Sequence, residues 1–156
     1  MSGLGKSISE LTALEIRDHL LSGQETVEEF TVKLGQFVDA ADTSIQAFAH
    51  REDRVVALQA DNLQRDRSAG QLPGSLYGVP IGIKDIIDTV DFPTEYGSPI
   101  HQGRYSVSDA TVVSRLRAAG AVIWRGVSIM PKTRESPARP SCKAALSEPS
   151  ARTGRA

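Results

Sequence analysis

The sequence predicts an α/β domain with a parallel sheet, and three observations carry that prediction. Two threonines each stand three residues before a glutamate at the head of helix-spaced segments. A short apolar run around Pro80 and Gly82 suits a buried strand. A second helix-spaced segment then separates that run from another apolar one at 121–124. Strand, helix and strand in that order imply a right-handed βαβ unit and a parallel strand pair. The 156 residues suffice to bury one core, and contents of 40% apolar and 24% charged residues are those of a globular chain.

From the N-terminus, Thr12-x-x-Glu15 and Thr26-x-x-Glu29 match the capping box, in which a hydroxyl and a carboxylate each satisfy a free backbone N–H. Each cap contributes about 1 kcal/mol, enough to fix where a helix begins. Residues 12–39 therefore read as two helices with Gly23 as the stop between them. Phe30, Leu34, Phe37 and Val38 recur at i, i+4, i+7 and i+8, one stripe predicted to be buried. Ile45 to Ala49 is a short strand candidate. A polar third helix, Arg51 to Arg67, ends before the turn Gly70-Gln71-Leu72-Pro73-Gly74.

Val79-Pro80-Ile81-Gly82-Ile83 suits the start of a buried strand, with Pro80 limiting its pairing. Asp88 to Val107 shows turn chemistry without a strong period. Asp109 is placed to cap a helix from Ala110 to Ala119, with Val112, Val113 and Leu116 on one side and Gly120 as the stop. Ala121 to Trp124 is the next strand, and the sheet is open at this point. After Trp124, Arg, Ser, Pro and Ala dominate, and four of the 8 prolines fall there. Such a segment buries too little surface to offset about 1–2 kcal/mol of backbone entropy per residue. Residues 125–156 are thus expected to be disordered.

The bulk properties exclude several classes. A formal net charge of -1 gives no field that recruits nucleic acid or an anionic membrane. No stretch approaches the roughly 20 apolar residues of a membrane helix. Met1 to Lys6 shows no apolar run of a signal peptide, and the lone Cys142 fits a reducing compartment, so a cytoplasmic location is expected. Gly3-Leu4-Gly5-Lys6-Ser7 ends like a phosphate loop but lacks the earlier glycine and the feeding strand. His19, His50 and His101 lie far apart and Cys142 has no CxxC companion, so structural roles and no metal are expected. Neither a G-x-S-x-G elbow nor an S-x-x-K motif is present.

Lys84 stands out. It directly follows Val79–Ile83 and precedes Asp85-Ile86-Ile87-Asp88. The C-terminal end of a buried parallel strand is where open α/β sheets place their ligands. A lysine brought near neutrality by burial serves as a general base, at a cost of roughly 4–5 kcal/mol that demands a closed, tightly packed site. The same spacing suits a strand-rim lysine paired with Asp85 or Asp88, and spacing alone favours that pairing.

The stretch Leu76-Tyr77-Gly78-Val79-Pro80-Ile81-Gly82-Ile83-Lys84-Asp85 resembles the G-[IV]-P-x-x-[IV]-K-D segment of the amidase-signature family. The likeness continues through Ile86-Ile87-Asp88-Thr89, Pro93-Thr94-Glu95-Tyr96-Gly97-Ser98 and Asp109-Ala110-Thr111-Val112-Val113, and ends with Leu116 to Ile123. It covers residues 8–124, and the P-T-E-Y-G-S variant is similar to malonamidase-like and related amidases. The resemblance implies the N-terminal fragment of a large α/β/α fold with a mixed sheet, whose catalytic group is a Ser–cis-Ser–Lys triad. Lys84 matches the family's lysine, which in its neutral form accepts a proton through the middle serine while the other serine attacks an amide carbonyl. No cofactor is implied, and the substrate of a full-length parent is a small-molecule amide. The oligomeric state is not set.

After Val122-Ile123 the family continues toward a Gly/Ser-rich loop that bears the middle serine. Here the tail holds neither Gly-Gly nor Gly-Ser, which leads to the expectation of a shifted reading frame or an unspliced boundary, and of a chain inactive by itself. Unpaired edges and exposed apolar faces at strands 79–83 and 121–124 further predict a poorly soluble or partly molten chain. Two alternatives stand beside the hydrolase. One is a fragment of the A subunit of the related glutamyl-tRNA amidotransferase, with partner subunits. The other is a non-catalytic binding module, supported only by the seven Lys/Arg against two Glu of the tail.

Overall fold

The computed structural model describes residues 6–50 and 52–127. Four α-helices and three strands lie among them: α1 (Ala13–Ser22), α2 (Val27–Ile45), β1 (Phe48–His50), α3 (Asp53–Ser68), β2 (Pro80–Lys84), α4 (Thr111–Ala118) and β3 (Val122–Val127). Both capping boxes form. Thr12 accepts from Glu15 N–H and Thr26 from Glu29 N–H, and each glutamate returns a bond to the threonine N–H. Gly23 closes α1 with φ 77, the left-handed cap that glycine adopts without steric cost.

α2 runs six residues past the predicted limit of 39. It ends where Gln46, at φ 53, turns left-handed and donates its N–H to Asp42 O. The Asp42 carboxylate also accepts the Ala47 N–H at 2.7 Å, so an acid rather than a glycine finishes this helix. Of the predicted stripe, Phe30 is buried and Leu34 and Val38 pack on the same core, but Phe37 stays 41% exposed. Val27 and Thr31 are buried instead, because the contact face is rotated toward the N-terminal side of the helix.

The sheet order is β1-β3-β2. β2 and β3 are parallel, as the strand–helix–strand pattern requires, and β1 pairs antiparallel to β3, which makes the sheet mixed. Successive residues of β3 face opposite sides. Val122 and Trp124 join the cluster of Leu20, Val27, Phe30, Val56 and Ala60 from the first three helices. Ile123 joins Ile83, Phe92 and Val113 on the other face, beneath α4. β3 is therefore the centre of the sheet, and the expectation of an open edge at 121–124 is corrected: residues 121–124 are buried. Strand β2 keeps one neighbour among the described residues, as expected.

Two further readings change. Asp109 does not cap α4, whose N-cap is Ala110 without a side-chain bond; its carboxylate serves Val90 and Arg117 instead. The composition boundary at Trp124 falls inside β3, which continues to Val127. Residues 128–156, the remainder of the segment read as disordered, lie outside the described residues, as do Cys142 and Met1 to Gly5. No helix among the described residues is long and apolar enough to cross a membrane.

Candidate active site

Lys84 is the last residue of β2, in register with Val127 of β3. Its predecessor Ile83 is buried at 4% exposure, while Lys84 is exposed. Its carbonyl accepts the Ile87 N–H at 2.9 Å, closing a turn as the chain leaves the strand. Among the described residues no ion pair or hydrogen bond engages the Lys84 ammonium. The pairing with Asp85 or Asp88 that spacing favoured does not form, since both carboxylates are committed elsewhere.

Asp85 is buried, 5% exposed. Its Oδ1 accepts the Glu95 N–H at 2.6 Å, its Oδ2 accepts the Gly97 N–H at 3.1 Å, and its carbonyl accepts the Tyr96 N–H at 3.1 Å. Tyr96 and Gly97 both have positive φ, 57 and 63. Asp88 accepts from Arg104 at 2.7 Å, and this guanidinium holds the Asp88 carboxyl below its ordinary value against the opposing effect of burial. Arg104 also lies 5.3 Å from the centre of the Tyr96 ring, within cation–π reach.

Glu95 extends this frame. Its Oε1 accepts the Gly103 N–H at 2.7 Å, and its Oε2 lies 3.1 Å from His50 Nε2 at the end of β1. Thr94 N–H and Arg104 O bond at 2.8 Å, which closes the base of the 94–104 excursion. The loop after β2 is thus a bonded structure rather than the featureless turn region its sequence suggests.

A second group fixes the sheet beneath it. Arg117 of α4 bonds Asp109 through Nε at 2.7 Å, pairs with Asp91, and donates to Gln59 Oε1 at 2.9 Å. Burial pushes the Asp109 carboxyl up, yet the Arg117 and Val90 hydrogen bonds outweigh it and hold the group below its ordinary value. Burial likewise pulls Arg117 down, and its two carboxylates outweigh that and raise it. The Gln59 amide bonds Ile123 at both backbone groups, accepting from its N–H at 3.0 Å and donating to its carbonyl at 2.9 Å.

The histidines take separate places. His19 is buried against Glu25 at 2.9 Å, His50 ends β1, and His101 lies in the short helical turn Pro99–His101 with its ring 5.2 Å from Tyr96. No group of three His, Cys, Asp or Glu among the described residues is arranged to hold a metal. Sequence reasoning named Asp85 only as a partner for Lys84 and did not anticipate Glu95 or the Arg117 group. The signal in the sequence was Gly97, a turn residue, since N–H groups around a turn need an acceptor once they are buried.

The arrangement has relatives among known proteins. A sequence model of the family Amidase matches residues 26–133. AmiD of Mycobacterium tuberculosis, a putative amidase by name, is 38% identical over 117 residues, 75% of this chain and 25% of that protein. The A subunit of the glutamyl-tRNA(Gln) amidotransferase of Rhodopirellula baltica is 37% identical over 112 residues, 72% of this chain and 22% of that protein. The native peptide amidase of Stenotrophomonas maltophilia superposes with a TM-score of 0.71 at 28% identity, covering 76% of this chain and 25% of that one. The chain spans about a quarter of the length of these relatives.

Proposed function

The chain belongs to the amidase family, and from that premise we propose that it supplies the proton-accepting lysine, Lys84, of an enzyme that hydrolyses carboxylic amide C–N bonds. The observation that carries this reading is the state of Lys84. It ends a parallel strand directly after buried Ile83, and the two neighbouring acids are both occupied, Asp85 by backbone amides and Asp88 by Arg104. Neither neighbouring acid is thus paired with the Lys84 amine, which is left for a partner from the rest of the family fold. In the reaction, the neutral amine takes a proton through a middle serine. The second serine, so activated, attacks the amide carbonyl, and water later releases the acid from the acyl-enzyme. Closure of the site by the rest of the family fold supplies the dry surroundings this lysine needs. The reading needs the two serines of the triad as well as Lys84, and it expects no amide turnover from residues 1–156 alone.

The test begins with the coding locus, translated in all three frames beyond the Trp124 codon. A polypeptide that joins residues 1–124 to a Gly/Ser-rich segment and a later serine is assayed for ammonia release from carboxylic amides. Replacing Lys84 by Ala should lower its turnover by roughly a thousandfold or more. Turnover within tenfold of the parent sinks the assignment, and ammonia release by the 156-residue chain sinks its inactivity. Absence of such a segment in every frame favours the binding-module reading.

The 37% identity to the amidotransferase protein supports a second reading, in which a full-length parent passes ammonia to a partner-bound acceptor. The P-T-E-Y-G-S stretch leans against it. Capture of stoichiometric partner subunits by the full-length parent would favour it over the free hydrolase.

A further inference from the structure

Asp85 is a buried acid held by backbone amides. With its carbonyl included, it gathers three consecutive N–H groups, those of Glu95, Tyr96 and Gly97. The carboxylate takes the first and third of these N–H groups, one on each oxygen, and the Asp85 carbonyl takes the middle one. The segment that closes on Asp85 is itself anchored from the far side, through Glu95 to Gly103 and His50 and through the Thr94–Arg104 backbone bond.

Lys84, by contrast, has no side-chain partner among the described residues that would orient it. Its direction is set by its backbone alone, which pairs with β3 on one side and enters the Ile87 turn on the other. The bond that fixes the exit from that strand belongs to the next residue. We infer that Asp85 is the positioning residue of Lys84: by locking the 84–85 backbone onto segment 95–97, it aims the lysine and keeps its own charge away from the ammonium. The inference rests on Lys84 being the proton acceptor for its catalytic meaning, while the clamp itself is measured without turnover.

Asp85→Asn keeps the size of the side chain but sets an NH2 donor against one of the two N–H groups, so one bond is lost and two donors oppose each other. In the 156-residue chain, amide exchange at Glu95, Gly97 and Ile87 should quicken at least tenfold, with α1 and α2 unchanged. The backbone order parameter of Lys84 should drop from about 0.85 toward 0.6. Asp85→Glu, which retains both acceptor oxygens, should restore part of each. In an amide-hydrolysing parent, Asp85→Asn should cut kcat at least tenfold with KM within twofold.

Unchanged exchange at 95 and 97, or faster exchange there with Lys84 as rigid as before, overturns the clamp. A kcat within twofold of the parent, where Lys84→Ala abolishes turnover, overturns the catalytic consequence of the clamp. If Asp85→Asn quickens exchange throughout, the chain has lost its fold, and Asp85→Glu decides by the same local-against-distant comparison. An active Lys84→Ala parent, with the Asp85 effects on exchange and order intact, removes the reading of Lys84 and leaves the clamp standing.

Discussion

Residues 12–45 and residues 85–109 both use carboxylates to satisfy backbone N–H groups, over very different spans of chain. In the leading helices the partners are three residues apart, Thr12 with Glu15 and Thr26 with Glu29. After β2 the acids reach further: Asp85 to Glu95 and Gly97, and Asp109 back to Val90. A contact between near neighbours costs little chain entropy and leaves a regular sequence pattern. One that closes a loop of ten or more residues leaves no fixed spacing, and it depends on the sheet that brings its ends together. The helices thus hold themselves locally, and the loop bordering Lys84 is held by the tertiary structure.

The largest expected break in that contrast is Arg117→Ala. It strips Asp109 and Asp91 of their shared cation and removes a bond to Gln59, with all partners half-buried. A loss of about 3 kcal/mol is expected, at the lower end for a broken buried pair. Urea unfolding measures it through a lower midpoint at unchanged slope. A loss under about 1 kcal/mol, the scale of an ordinary exposed pair, would mean that the loop is not held through α4.

Acid gives the next effect. Asp88 and Asp109 are held below the ordinary carboxylate value of 3.8. The unfolded chain therefore binds more protons than the folded one in this range. Their contribution is complete above about pH 4 and is lost as pH falls through the depressed values. Glu15, held to about 2 by Lys6 and the Thr12 bonds, and Glu29 titrate in the same direction within the helices. Melting temperatures from about pH 5 to about pH 2 should fall, and Asp109→Asn should flatten that fall. An unaltered slope in the variant would assign the acid sensitivity to Asp88 and the helical caps.

The smallest expected effect is Thr26→Ala, about 1 kcal/mol for a lost N-cap. Thr12→Ala should add to it independently, since the two caps share no partner. Strong coupling between them in a double-mutant cycle would show that the helix pair is not locally specified after all.

The same division decides what was legible in the sequence. The capping threonines, Gly23 and the parallel strand pair around α4 were readable because helix caps and βαβ connections follow local or nearly universal rules. The end of α2 was missed because Asp42 and Gln46 did the work usually left to glycine. Asp109 looked like a cap because Asp commonly is one, but an arginine eight residues on outcompeted the helix N–H groups for it. Lys84 was picked out by its place after an apolar run. Its immediate acids were paired with it by proximity in sequence, and only the folded loop reveals the amides and arginine that take them away.

The strand order also sets a sequence of events in time. β1 and β2 are made first, yet neither pairs with the other, and both wait for β3, the last strand to be made among the described residues. During synthesis the first three helices can gather early, whereas no two of the described strands can pair until residues 122–127 have emerged. The described part of the sheet therefore cannot pair before β3 emerges, and until then the apolar residues of β2 have no described strand beside them.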